Sequence, residues 1–368
     1  MSLTTQLDGR DLADWCAGAF PGTPAVVDQV VAAARAAGRP VRPTGHVEPS
    51  HWADIGGAFG QRLADLVDPA PPYGALLGMI RAGWLTWDVA HEQAAAYPTH
   101  RDLDAEHRAR ALSLRRTPDG WLDLGPARDH LEPDPAAAAA LAELLERTRA
   151  YQAAHAPVGT LGSPGAEAGL ARSAWVIAAC EGIHRSGRIA PDLSNVMARG
   201  GPAGALRAIA SDQAVSELVE LAGRLQTHRV LDELHRLAGH PAPGDPLGVA
   251  APTFVPGWAD GDLLVGTSET TTLLDVKTVI SLSNPDRIAR WCWQILLYAW
   301  LDTGDLHHIR AVGLYLARHG ALVTWDLDTY AGLLLDDPSP DLRHRARESF
   351  RGVATDVIRA EGAHFPIA

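Results

Sequence analysis

Apolar residues recur at helical spacing through the first part of the chain. The segments with this spacing are 24–38, 51–67, 71–97 and 136–155. The last of them is also rich in alanine, leucine and glutamate, which favour helices on intrinsic propensity. The pattern predicts a helical N-terminal region over residues 1–155, followed by a Gly-, Pro- and Ser-rich loop at 156–169.

Helical spacing continues beyond that loop. Residues 170–187 predict an apolar helix that ends at a glycine, and residues 211–239 predict one long helix or two short ones. Residues 238–253 are rich in glycine and proline and predict a linker.

The last third of the chain has the pattern of a compact unit of strands and helices. GDLLVG and TTTLLDVKTVI are β-type runs around TSET, which predicts a hairpin. The elements that follow are a helix at 284–304 with an asparagine cap, two strands within 309–327 and a basic helix at 340–362. We therefore predict an α+β fold with a second domain over 170–368, whose functional motifs lie within 254–330.

Composition excludes several classes of protein. The 368 residues are 46% hydrophobic and 21% charged, which is typical of a globular protein with a sizeable core. The apolar stretch from Trp291 to Leu301 is too short to span a bilayer, and the N-terminus lacks a secretory pattern, so no membrane association is predicted. Three widely spaced cysteines argue against disulfides or a zinc site and favour a cytoplasmic location.

The charge pattern isolates one residue. The formal net charge is −12, which excludes a general nucleic-acid binder but allows a local basic groove. Among the 32 basic residues the only lysine is Lys277. Because every other Lys or Arg position of the chain is arginine, the single lysine indicates a role that needs a compact ammonium group, whose pKa shifts readily.

Two aspartates are predicted to lie beside this lysine. Asp275 and Lys277 are two residues apart on a strand and therefore face the same side, and Asp262 opposes them from the other strand of the hairpin. Two close carboxylates repel each other unless a cation lies between them. Hard oxygen ligands such as carboxylates suit Mg²⁺ or Mn²⁺. Such a metal ion lowers the pKa of a water bound to it and neutralises charge on a scissile phosphate. Lys277 would orient or deprotonate that water, or stabilise the pentacoordinate phosphorus.

The following helix supplies two more candidates. Gln294 and Tyr298 are four residues apart and share one helix face, from which they can reach the hairpin or a DNA phosphate. The alternative is a core tyrosine beside a surface glutamine.

Together these motifs resemble a known family. Gly261-Asp262-Leu-Leu-Val, Asp275-Val-Lys277 and Gln294-x-x-x-Tyr298 are similar, in order and spacing, to motifs II, III and QxxxY of the RecB-like branch of the PD-(D/E)XK nuclease superfamily. The resemblance covers roughly residues 254–330. It implies an αβββαβ restriction-endonuclease-like core and metal-dependent hydrolysis of nucleic acid phosphodiesters, with DNA preferred over RNA.

The resemblance also implies roles for individual residues. Asp262, Asp275 and the carbonyl of Val276 would bind Mg²⁺ or Mn²⁺, Lys277 would be the catalytic lysine, and Gln294 and Tyr298 would support it. The first motif usually supplies a glutamate from a preceding helix. Glu181 is the leading candidate for this catalytic and metal-binding acid; the alternatives are Glu217 and Glu220, and Asp260 is an alternative to Asp262.

Arginines and tryptophans near these motifs suggest a groove that follows a phosphate backbone. They are Arg287, Arg290, Trp291, Trp293, Arg310, Arg318, Arg343, Arg345, Arg347 and Arg351. For the two tryptophans a position in the core is the favoured interpretation. The chain has no Walker lysine, so any ATPase or helicase that acts with it is a separate chain. The resemblance suggests recombination, repair or defence against foreign DNA, and the alternative is an inactive nuclease-fold protein that binds nucleic acid or acts as an assembly subunit.

Overall fold

A computed structural model describes residues 2–97, 135–255 and 258–361. Residues 98–134, which belong to the predicted helical region, lie outside the described residues. The helices before the first strand are α1 (Leu3–Leu7), α2 (Asp11–Ala19), α3 (Thr23–Ala37), α4 (His51–Val67), α5 (Tyr73–Arg81), α6 (Trp87–Ala95), α7 (Pro135–His155), α8 (Pro164–Ser186), α9 (Pro191–Ala198), α10 (Ala203–Arg207), α11 (Asp212–Thr227) and α12 (Val230–Leu237).

A mixed sheet follows these helices. The remaining elements are β1 (Gly248–Ala250), β2 (Thr253–Val255), β3 (Ala259–Asp260), β4 (Leu263–Gly266), β5 (Thr271–Lys277), α13 (Pro285–Leu301), β6 (Ile309–Leu316), β7 (Ala321–Asp326), α14 (Leu327–Leu335) and α15 (Pro340–Ala360). Five strands form one sheet in the order β1-β4-β5-β6-β7, and β2 pairs with β3. The pair β5 and β6 is parallel and the other neighbouring pairs are antiparallel. A parallel pair needs a crossover, and α13 supplies it.

Local sequence signals explain the central elements. In the turn between β4 and β5, the hydroxyl of Thr267 accepts hydrogen bonds from the backbone N–H groups of Glu269 and Thr270. Helix α13 begins after Asn284, whose side chain accepts a hydrogen bond from the backbone N–H of Arg287. Gly320, at a φ of 68°, makes the tight turn between β6 and β7.

Alternating residues of the strands face two different cores. On one side, Leu264 and Leu273 pack with α13 and with α1–α3. On the other side, Leu274 packs with α4, α11 and α12. Helices α1–α4 belong to the predicted region 1–155, yet they pack against the sheet of the predicted domain 170–368. The division of the chain into these two parts stays a prediction.

The mixed α+β class is confirmed, as are the β4–β5 hairpin and the helix that follows it. Two local predictions were wrong. Residues 156–169 are not a loop throughout, because Ser163 caps α8 and Pro164 starts it. The predicted linker at 238–253 contains β1, a three-residue edge strand too short to show alternation. Among the described residues, no helix combines the length and the apolar character that crossing a membrane requires.

Candidate active site

Three charged side chains meet where β5 ends. Asp275 and Lys277 lie on one face of β5, and the Lys277 Nζ is 2.7 Å from Oδ2 of Asp275. Asp262 lies directly before β4, whose Leu263 pairs with Leu274 of β5. Its Oδ2 therefore reaches β5 and accepts a hydrogen bond of 2.7 Å from the backbone N–H of Val276. The structure thus brings Asp262, Asp275 and Lys277 together as the alternation of the strand predicts.

Helix α13 contributes the two predicted polar residues. Lys277 Nζ donates a hydrogen bond of 3.2 Å to Oε1 of Gln294. The amide Nε2 of Gln294 in turn donates to the Tyr298 hydroxyl at 3.0 Å. Gln294 and Tyr298 are both buried, and the Tyr298 ring stacks on Phe254 with 5.5 Å between ring centroids. Gln294, on this face of α13, therefore holds the ammonium group of Lys277 in place.

Asp275 is the buried member of this group of charged side chains. It is 3% exposed, and its burial raises the pKa to about 7. The nearby ammonium of Lys277 opposes this shift, while the negative charge of Asp262 adds to it. Asp262 and Asp275 both supply carboxylate oxygens, and Mg²⁺ is commonly held by one or two carboxylates and several waters. The role of this pair as ligands of Mg²⁺ or Mn²⁺ stays a prediction.

Helix α8 places Glu181 near this group of acids. A Cβ on Gly74 of α5 would lie 2.8 Å from the Glu181 Cγ, so the glutamate lies against a glycine in the neighbouring helix. The negative charge of Glu181 contributes to a raised pKa of Asp260, for which burial is the main cause. Asp260 also accepts a hydrogen bond of 2.9 Å from the Thr253 hydroxyl.

Glu181 is nevertheless not assembled with the aspartates into a finished metal site. Its carboxylate binds Arg185, whose Nε and Nη2 lie 2.8 Å and 2.6 Å from Oε1. In the part of the chain that the structure describes, no group of three or more His, Cys, Asp or Glu side chains has the geometry to hold a metal ion. The role of Glu181 as a ligand stays a prediction, as does that of the Val276 carbonyl.

The alternative first-motif acids have other partners. Glu217 is buried, 2.5 Å from Nη2 of Arg318 and 2.8 Å from Nε2 of His51. Glu220 is largely exposed and lies 3.9 Å from Arg224. Both carboxylates thus pair with basic side chains outside the β4–β5 hairpin. Glu181 remains the better candidate for the first-motif acid.

The predicted phosphate groove requires a correction at Arg318. This arginine is fully buried, and it donates hydrogen bonds to the carbonyl oxygens of Thr278 and Val41 at 2.7 Å and 3.2 Å. It therefore anchors the backbone that follows Lys277 and does not face a ligand. Its position after a strand and before a glycine gave no signal for this role, because its partners come from distant parts of the chain.

The tryptophans on α13 are largely buried, as the favoured interpretation predicts. Trp293 donates a hydrogen bond of 2.9 Å to the Thr23 hydroxyl. Two cations lie within cation–π distance of the Trp291 ring: Lys277 Nζ at 5.7 Å and the guanidinium of Arg287 at 5.3 Å from the ring centroid. Trp291 is thus a cation–π neighbour of the ammonium group, a contact that sequence spacing alone did not reveal.

The chain matches no family model, no curated protein and no solved structure. The chemistry of the site therefore has to be inferred from its own geometry.

Proposed function

We propose that this protein is a Mg²⁺- or Mn²⁺-dependent nuclease that hydrolyses phosphodiester bonds of DNA. The observation that supports this most strongly is the meeting of Asp262, Asp275 and Lys277 at the end of β5, with the ammonium 2.7 Å from one carboxylate. A cation site beside an immobilised ammonium is suited to a reaction in which negative charge accumulates on a phosphate.

The topology adds support. Within the five-stranded sheet, β1, β4 and β5 follow a helical region, α13 crosses over, and β6 returns parallel to β5; the separate pair of β2 and β3 is inserted between β1 and β4. Apart from this insertion, the order is compatible with the αβββαβ order that the sequence resemblance implies. Strand β7, α14 and α15 extend it.

The residues of the chain have separate tasks in this proposal. Asp262 and Asp275 would hold the metal ion, which would supply an acidic bound water and neutralise the scissile phosphate. The ammonium of Lys277 would orient the attacking water or stabilise charge on phosphorus; only as a neutral amine could Lys277 accept the proton of that water. Gln294 holds the ammonium through its Oε1 and is held in turn by Tyr298. Burial raises the pKa of the Tyr298 phenol, which therefore keeps its proton.

We further propose a cytoplasmic location and a role in recombination, repair or defence against foreign DNA, with any ATPase or helicase supplied by another chain. These proposals follow from the cysteine usage, the sequence resemblance and the absence of a Walker lysine from the sequence.

Cleavage assays with matched variants test the proposed function. Lys277→Met should remove cleavage of linear and plasmid DNA in Mn²⁺ and leave the fold intact, since Asp275 can take up a proton in the absence of the ammonium. Asp262→Asn should do the same, while Glu269→Gln in the exposed hairpin turn removes an equivalent charge and should cut as wild type. Failure of the wild-type protein to cut DNA or RNA with either metal, or full activity of Lys277→Met, would refute the proposal.

A second candidate function is nucleic-acid binding or assembly without catalysis. It is favoured by the lack of a third assembled metal ligand among the described residues. Salt-dependent DNA binding that persists without any cleavage, and that Lys277→Met leaves unchanged, would support it over the nuclease.

A further inference from the structure

The eight arginines of the predicted phosphate groove differ in whether a carboxylate neutralises their charge. Five of them form ion pairs within the protein: Arg290 with Asp8, Arg310 with Asp305, Arg318 with Glu217, Arg343 with Asp328 and Arg351 with Glu348. Arg287, in the first turn of α13, forms no ion pair with any residue that the structure describes. It is thus an uncompensated cation on the helix whose Gln294 holds Lys277.

Two contacts hold the guanidinium of Arg287 in place. Its Nη2 donates a hydrogen bond to the carbonyl oxygen of Ser281, in the loop before α13, and its Cζ lies 5.3 Å from the centroid of the Trp291 ring. The bond to Ser281 uses one of the five donor hydrogens of the guanidinium, and the side chain is partly exposed. The group is therefore fixed in position and still has donors to offer to an anion.

The Trp291 ring also links Arg287 to the candidate active site. Lys277 Nζ lies 5.7 Å from the centroid of the same ring, so the distance between the two cations cannot exceed the two ring distances taken together. Lys277 is paired with Asp275 at 2.7 Å. Arg287 therefore carries the positive charge beside the ammonium that no carboxylate of the described residues neutralises.

We propose that Arg287 binds a backbone phosphate of the DNA strand, next to the scissile phosphate that lies at Lys277. This inference rests on the proposed function and deepens it by naming a residue that holds the substrate. The planar fork of a guanidinium can donate two parallel hydrogen bonds to one phosphate. Contacts to phosphates fix the register of a strand and carry no sequence information. Arg287 thus positions the strand at Lys277 whatever its sequence.

Loss of this contact has a recognisable signature in the salt dependence of DNA binding. A cation that binds a phosphate releases a counterion from the strand, so each such contact contributes about 0.7 to the slope of log Kd against log salt for single-stranded DNA. Loss of a charge-assisted hydrogen bond should also raise the Kd by about tenfold at low salt. A merely structural role, in which Arg287 only holds the loop at Ser281, would leave the slope unchanged.

Fluorescence anisotropy of a fluorescein-labelled oligothymidine, titrated with the full chain at several NaCl concentrations, tests the proposal. EDTA is present throughout, so the measurement needs neither a metal ion nor cleavage. Arg287→Gln should bind about tenfold more weakly at low salt, with a slope smaller by about 0.7, whereas Arg287→Lys should keep the wild-type slope. The matched control is Arg310→Gln, because Arg310 lies at the start of β6, at the opposite end of the strand from Leu316, which pairs with Lys277. This control removes the same formal charge and should stay within about twofold of wild type, with the same slope.

The outcomes separate this inference from the proposed function. If Arg287→Gln binds the oligonucleotide as wild type does, or binds more weakly with an unchanged slope, the phosphate contact is wrong and the proposed nuclease is unaffected. Equal losses in Arg287→Gln and Arg310→Gln would show an effect of overall charge, and an absence of wild-type binding at every salt concentration would likewise overturn the inference. If Arg287→Gln behaves as expected but the wild-type protein cuts no nucleic acid with either metal, the phosphate contact stands and the nuclease proposal fails.

Discussion

The contact between α5 and α8, which positions Glu181, yields a sharp prediction for Gly78→Ala. A Cβ at Gly78 would lie 1.8 Å from the carbonyl oxygen of Cys180, in a part of α8 where Cys180 and Ile177 are buried. Ordinary contact needs roughly 3.5 Å, so the two helices have to separate by more than an ångström. Backbone atoms cannot turn aside as a flexible side chain does.

Two opposing effects set the size of the change. Alanine in place of glycine inside a helix gains about 1 kcal/mol from propensity. Forcing apart a packed interface costs about 1–3 kcal/mol or more. The contact here is with backbone, so we expect the high end of that range and a net loss of about 2 kcal/mol in the free energy of unfolding.

Urea unfolding followed by circular dichroism measures this loss, with Gly182→Ala as the matched control. Gly182 lies in α8, and a Cβ there meets nothing within 4 Å, so the control should gain up to about 1 kcal/mol. If Gly78→Ala is as stable as Gly182→Ala, the close approach of α5 and α8 is wrong, and with it the placement of Glu181.

Three further changes test the interior of the protein. Tyr298→Phe removes the acceptor of the Gln294 amide and should cost about 1 kcal/mol in thermal unfolding, while reducing cleavage; an unchanged stability would contradict the hydrogen bond. Glu217→Gln leaves the buried guanidinium of Arg318 without its counter-charge and should cost about 3–5 kcal/mol by urea unfolding; a loss under about 1 kcal/mol would show that the pair is not buried. Burial raises the pKa of Asp65 to about 6, so the native state binds its proton more tightly than the unfolded state does and stability is lost as pH rises from about 4 to 6. Asp65→Asn should therefore be more stable than wild type at pH 8 by about 1–2 kcal/mol, a figure that is reduced because Asp65 is partly exposed. Near pH 3.5 the variant and wild type should be equally stable. A gain in stability that does not depend on pH would refute this.

Local periodicity was sufficient to predict much of the site. The two-residue repeat of a strand places Asp275 beside Lys277, and the four-residue spacing on α13 places Gln294 beside Tyr298. Antiparallel pairing of the hairpin then brings Asp262 to the backbone of Val276. Each of these contacts depends on short distances along the chain, within one element or between neighbouring elements.

Contacts between distant segments were not predictable in the same way. The residues next to Arg318 in the sequence give no sign that its side chain is buried. Its burial is explained only by its contacts with Glu217 on α11 and with Val41 in the loop after α3. The pairing of Glu181 with Arg185 follows helical spacing, but the position of Glu181 against Gly74 depends on how α8 packs against α5, a segment far away in the sequence. The three-residue strand β1 lacked any periodic signal, because its pairing with β4 is what makes it a strand.

Anomalous diffraction from a crystal soaked in Mn²⁺ is the sharpest test of metal binding by Asp262 and Asp275. We expect one strong peak between the two carboxylates, with Lys277 beside it and still in contact with Gln294. A peak at an unrelated surface position, or none at the end of β5 in a crystal that shows these three side chains in order, would contradict it.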